Sequence, residues 1–264
     1  MSHSKSTFMF QAQLPRCLLI KKVIEAIKDL LVDGSWECTN EGMSLQEMDS
    51  SHVILISLLL KRDGFDKYVC ERNVTISTKI SSMLKILKCS NNNDRLTMTA
   101  KDVHPDTFTF TFESTDRIAE YDLKLLDLEY NILTIPDMDH SCIINLPSTE
   151  FRQICKDLSL MGSTVNIYCT TDAKVKFSAS GDVGTGNVTL GCTENDAITV
   201  KIREPVVLTF SLQYMNLIAK ATIVSERVSL YLTQDAPLMA EYEMVDMGYI
   251  RYYLAALVCE DDEK

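Results

Sequence analysis

From Thr107 to Phe112 the chain reads TFTFTF, an unbroken alternation of polar and apolar residues. A period of two marks a strand with one buried and one exposed face. RVSLYL (227–232) and LMAEYEM (238–244) read as strands of the same kind. Four other segments read as short helices: Cys17–Leu31, Ser81–Cys89, Ser148–Leu158 and Ser211–Ala221.

These elements recur in the same order. FQAQLPRCLLIKKVIEAIKDL (Phe10–Leu30) is matched by CIINLPSTEFRQICKDL (Cys142–Leu158): a short strand, Leu-Pro, then a helix ending in Lys-Asp-Leu. WECTNEGMSLQEMDSSHVILISLLL and VNIYCTTDAKVKFSASGDVGTGNVTL follow, each reading as three strands joined by turns. A second short helix and further strands close each half. EYDLKLLDL at Glu120 and EYEMVDMGYI at Glu241 read as matching ends. An internal duplication of this kind predicts an α+β chain of two similar strand-rich domains, each with two short helices. The expected parts are 9–124, a connector over 125–141, and 142–264 with an acidic tail. The connector, LLDLEYNILTIPDMDHS, is acidic and holds Pro136, yet keeps Leu133 and Ile135 where a plain linker would be polar.

At 264 residues and 46% hydrophobic, the chain is long enough for two domains of ordinary size. Its net charge of −11 argues against nucleic acid unless the basic residues are segregated. They are segregated. The four helical segments together carry +4, so the remainder carries −15. Lysines gathered on helices suit sequence-independent, salt-sensitive phosphate contacts, although a solvated helix face accounts for the same pattern.

Nine cysteines without a C-x-x-C pair read as reduced, buried thiols of an intracellular protein. Four scattered histidines give no metal-ligand spacing, and no cofactor is expected. MSHSKSTFMF lacks the apolar core of a signal peptide, and Met1–Thr7 reads as a polar extension outside the fold. The longest apolar run, Val53–Leu60, is far short of a membrane span, so no membrane partner is expected.

Two motifs suggest catalysis. Asp49, Ser50, Ser51 and His52 stand side by side, but a Ser–His mechanism needs groups that converge in space, and neighbours entering a strand point to opposite faces. GDVGTG (Gly181–Gly186) runs into NVTL, a strand, whereas a phosphate loop needs a helix behind it. It reads as a turn. No constellation calls for an enzyme.

LQEMDSSHV, SSMLKILKC, VKFSASGDVGTGN and APLMAEYEMVDMGYIRYYLA resemble, in order and spacing, the eukaryotic sliding clamps of the proliferating cell nuclear antigen family. The resemblance runs from about Met9 to the acidic tail. It implies the DNA-clamp fold and a homotrimeric ring that encircles double-stranded DNA without reading its sequence. Such a ring confers processivity on DNA polymerases and works in the nucleus, where it also meets the clamp loader and repair proteins. By resemblance the residues facing DNA are Lys21, Lys22, Lys28, Lys85, Lys88, Arg152, Lys156 and Lys220. A hydrophobic pocket for peptides bearing a Gln and two aromatic side chains is implied at Met48, His52, Val53 and Leu55. It continues through Leu133, Ile135 and Pro136 of the connector to Pro237, Tyr253, Leu254 and Ala255. The subunit interface is implied at Tyr121 and Leu123 on one edge and Gly186 and Val188 on the other.

The chain also departs from the family pattern. Gln153 and Gln213 stand where an Arg is usual, Ala256 where a Pro is usual, and His140 where an aromatic residue is usual. The family's modified lysine falls at Thr171, with Lys174 nearby. These departures leave an alternative: a diverged paralogous or checkpoint-type clamp subunit that assembles with partners.

Overall fold

The structure is a computed structural model that describes residues 8–102, 105–128, 133–135, 139–170, 174–192 and 197–257. The chain divides into two compact units: Met1–Ser50, Ile56–Leu133 and Met244–Ile250 form the first, and Ser51–Leu55, Thr134–Glu243 and Arg251–Lys264 the second.

The first half of the chain runs β1 (Phe10–Leu14), α1 (Leu18–Ile27), β2 (Asp33–Cys38), β3 (Gly42–Met48), β4 (Ile54–Lys61), β5 (Lys67–Cys70), β6 (Val74–Lys79), α2 (Ile80–Leu87), β7 (Arg95–Ala100), β8 (Thr107–Glu113) and β9 (Ile118–Lys124). The second half repeats that order: β10 (Cys142–Pro147), α3 (Ser148–Leu158), β11 (Thr164–Thr170), β12 (Lys174–Gly181), β13 (Gly184–Gly191), β14 (Thr199–Ile202), β15 (Val206–Ser211), α4 (Leu212–Ile218), β16 (Arg227–Leu232), β17 (Leu238–Met244) and β18 (Gly248–Leu254). The α+β duplication expected from the sequence is therefore present element by element.

In unit 1 one sheet has the order β5-β1-β7-β8-β9, and β4, β3, β2 and β6 lie side by side in that order in a second. Phe108, Phe110 and Phe112 all point inward from β8 and are buried, while the threonines between them take the other face. Burial of one such ring is worth about 1.5–3 kcal/mol relative to exposure. Phe108 and Phe110 also meet edge to face, with centroids 5.1 Å apart. Pro15 ends β1, and α1 then buries Ile20, Val23, Ile24 and Ile27 along one stripe. α1 packs on α2, which also meets β2, β6 and β9.

Unit 2 has a sheet ordered β13-β12-β11-β15, and β14, β10, β16 and β17 lie side by side in another. α3 buries Phe151, Ile154, Cys155 and Leu158, and packs against α4. Asn216 of α4 fastens the pair by donating to Cys155 O over 3.2 Å.

Three expectations need correction. Asp49–Val53 is a turn between β3 and β4 and not the entrance of a strand, and His52 takes a left-handed φ of 57° there. The helix expected over Ser211–Ala221 narrows at Ala219–Ile223 into a 3₁₀ turn, which carries Lys220. Finally, the element order pairs β9 with β18, so the resemblance between the stretches at Glu120 and Glu241 is out by one strand. The turn expected over Gly181–Gly186 is tighter, with only Asp182 and Val183 between β12 and β13, and Gly184–Gly186 already belong to β13. The described cysteines are free and six of these eight are buried; burial pushes the Cys38 and Cys155 thiols up. No described helix is long and apolar enough to cross a membrane.

Candidate functional site

Several residues of the expected peptide pocket lie in unit 2. His52 is exposed on the turn before β4, with Val53 and Leu55 half-buried behind it. Ala255 N–H donates to Val53 O over 3.0 Å, which ties the segment after β18 to that turn. Two residues on, Leu257 N–H donates to Thr209 O over 2.8 Å. β18 alternates, so Tyr253 turns partly outward while Leu254 is wholly buried. Leu254 therefore stands behind the surface and presents nothing on it. Ile135 is half-buried and Pro237 is exposed. Pro136 lies outside the described residues.

Pro237 and Ala255 share a groove of about 720 Å³ in unit 2. Its other walls are Asn166, Val207 and Thr209 of one sheet face, the turn at Gln234–Ala236, and Ala256 and Leu257. Thr209 donates to Asn166 Oδ1 over 2.5 Å, which fixes the polar floor. Val207 and Leu257 leave apolar surface exposed. Sequence reasoning missed Asn166, Val207, Thr209 and Leu257, although alternation along VVLTFS does send Val207 outward.

The unit 1 members are Met48 and Leu133, and both are exposed. Leu133 is held by its backbone: Gln46 Nε2 donates to Leu133 O over 2.9 Å, and Leu133 N–H donates to Gln46 Oε1 over 2.6 Å. Next to Gln46, Glu47 accepts from Ser35 N–H over 3.1 Å. Burial raises the Glu47 carboxyl above the usual carboxylate range, the Ser35 hydrogen bonds oppose the rise, and Asp33 adds to it.

The basic residues divide into engaged and unengaged. Lys21 Nζ donates to Ser90 O over 2.7 Å and to Asn92 Oδ1 over 3.2 Å, bridging α1 to the loop after α2. Lys28 pairs with Glu25 over 2.9 Å, and that hydrogen bond is the main reason its ammonium is held above the ordinary lysine value. Lys85, Lys88, Arg152 and Lys156 are exposed, and Lys22 is half-buried. Among the described residues, these five have no carboxylate within ion-pair distance. Gln153 donates to Asp157 Oδ1 over 2.7 Å on the exposed side of α3.

The expected interface residues lie on two sheet ends. Among the described residues, β9 ends one sheet of unit 1 and β13 ends one sheet of unit 2, so each leaves one edge unpaired there. Tyr121 is half-buried against Phe112, with centroids 6.0 Å apart. Leu123 is buried, so only backbone is available from it at that edge. Gly186 faces Met161 and Leu158, where an added Cβ would come within 2.9 Å of Met161 Cγ, and Val188 is half-buried on the same strand.

Two family models match this chain. Residues 9–132 match the N-terminal domain of proliferating cell nuclear antigen, and residues 134–257 match its C-terminal domain. Members of the family are DNA sliding clamps, which are scaffolds and not enzymes. The two matches cover both halves of the duplication, and the chain belongs to the proliferating cell nuclear antigen family.

Proposed function

We propose that this chain is a replicative sliding clamp. Three copies close head to tail around duplex DNA in the nucleus, β9 of one copy pairing with β13 of the next. The closed form tethers DNA polymerases and receives the clamp loader and repair proteins. The supporting observation is a duplicated fold that matches both clamp domains, with β9 at an end of one sheet and β13 at an end of another. A heterologous contact that closes after three copies would cover both edges.

In this reading Lys22, Lys85, Lys88, Arg152 and Lys156 meet phosphates directly, with Lys21, Lys28 and Lys220 adding to the field. Peptides carrying a Gln and two aromatic side chains dock on Met48, His52, Val53, Leu55, Leu133, Ile135, Pro136, Pro237, Tyr253 and Ala255. The connector is assigned to 125–141, between clamp domains at 9–124 and 142–264. The protein acts by topology and recruitment and carries out no chemistry of its own.

The alternative is a diverged subunit that assembles only with partners. It draws support from Gln153 and Gln213, neutral residues on helices proposed to face DNA. The test is retention. After loading with a clamp loader and ATP, the protein should stay on closed circular DNA in high salt and leave once the circle is cut. Equal loss from both forms would contradict the topological reading.

A further inference from the structure

Leu133 combines an exposed side chain with a backbone that is held at both its polar groups. Its side chain is 46% exposed, yet its N–H and C=O are both taken by the Gln46 amide. A primary amide presents one donor and one acceptor side by side, as a neighbouring strand would, so Gln46 substitutes for a strand partner at this one position. Leu45 anchors it from the next position on β3, being wholly buried, while Gln46 points to the opposite face. The contact joins residues 87 apart in sequence.

We infer that Gln46 is a positioning residue for peptide docking: its reciprocal pair with Leu133 sets the direction in which that leucine is offered to a partner. The inference rests on the docking role proposed above for Leu133. A leucine whose backbone is already fixed loses less freedom when a partner closes on it, and that preorganisation appears as affinity. Both hydrogen bonds are exposed to solvent, so each is modest and can open. The geometry also explains the residue type. Glutamate could accept from Leu133 N–H but would turn a second acceptor toward Leu133 O. Asparagine is one methylene too short to span the same gap.

The test uses the full chain with Gln46→Met, which keeps length without polarity, and Gln46→Glu, which keeps only the acceptor. Hydrogen exchange at the Leu133 amide is followed by NMR. Affinity for a peptide bearing a Gln and two aromatic residues is followed by fluorescence anisotropy. Gln46→Met should speed exchange at Leu133 and weaken peptide binding by about three- to tenfold, the scale of two exposed hydrogen bonds. Gln46→Glu should keep Leu133 better protected than Gln46→Met does, while still binding peptide less well than the parent. Faster exchange with unchanged affinity would overturn the inference and leave the docking site standing. Failure of the unmodified chain to bind the peptide would instead sink the docking reading, and the positioning role with it.

Discussion

Ala255 N–H donates to Val53 O over 3.0 Å, joining two residues that the family resemblance assigns to one peptide-binding surface. The bond fixes where the segment after β18 departs, and Leu257 N–H extends the attachment to Thr209 O. Ala255→Pro deletes the donor. Ala255→Gly keeps the donor. The proline variant should lose about 0.5–1.5 kcal/mol of stability from the missing bond. It should also bind docking peptides several-fold more weakly than the glycine variant. Urea unfolding and titration calorimetry measure the two quantities, and equal peptide affinity for both variants would contradict the assignment.

The unengaged lysines should dominate the response of DNA binding to salt. Each phosphate contact contributes about 0.9 to the slope of log K against log salt. Lys85→Ala combined with Lys88→Ala should therefore lower the slope per chain by about 2, if each lysine meets one phosphate. Lys28→Ala should change it less, because Glu25 already holds that ammonium. Gln153→Arg, which adds a cation to α3, should steepen the slope. Affinity for a fixed duplex across a salt series reads all three, and a double lysine variant with the parent slope would remove α2 from the DNA-facing set.

Glu47 makes a prediction with a definite sign. Its folded-state carboxyl is held above the ordinary glutamate range, chiefly by burial. The folded state therefore binds the proton more tightly than the unfolded chain does. That contribution to stability is fully present below the unfolded value and is lost as pH rises through the folded one. A neutral amide in the same place would need no proton and could still accept from Ser35 N–H. Glu47→Gln should accordingly gain stability relative to the parent near pH 7.5 and show little gain near pH 4, measured by urea unfolding at each pH. A gain of equal size at both would contradict the burial argument.

Periodic burial was the part of the fold most legible from sequence. TFTFTF announced the inward phenylalanines of β8, and the repeated Leu-Pro marked the passage from β1 to α1 and from β10 to α3. Matching by local identity was less reliable than matching by element order. Glu120-Tyr121 and Glu241-Tyr242 are the same dipeptide, yet Tyr121 is half-buried at a sheet end and Tyr242 is wholly buried. The alternation of GYIRYYL already sends Leu254 inward, away from the side that Tyr253 takes.

The left-handed turn at His52 had no such signal, because the apolar run after it reads as a strand from its first residue. The pairing of Gln46 with Leu133 was hidden for a different reason. It depends on one exposed side chain meeting a backbone 87 residues away, and no period encodes that. The groove residues Asn166 and Leu257 likewise come together only through sheet register and the hydrogen bond to Thr209.

The central claim is that copies of this chain close on themselves without help. Light scattering coupled to size-exclusion chromatography over a dilution series tests it most directly. The account predicts a mass near three times that of the 29.8 kDa chain, unchanged on dilution. A monomer or dimer throughout would contradict the self-closing clamp and favour a subunit that assembles with other chains.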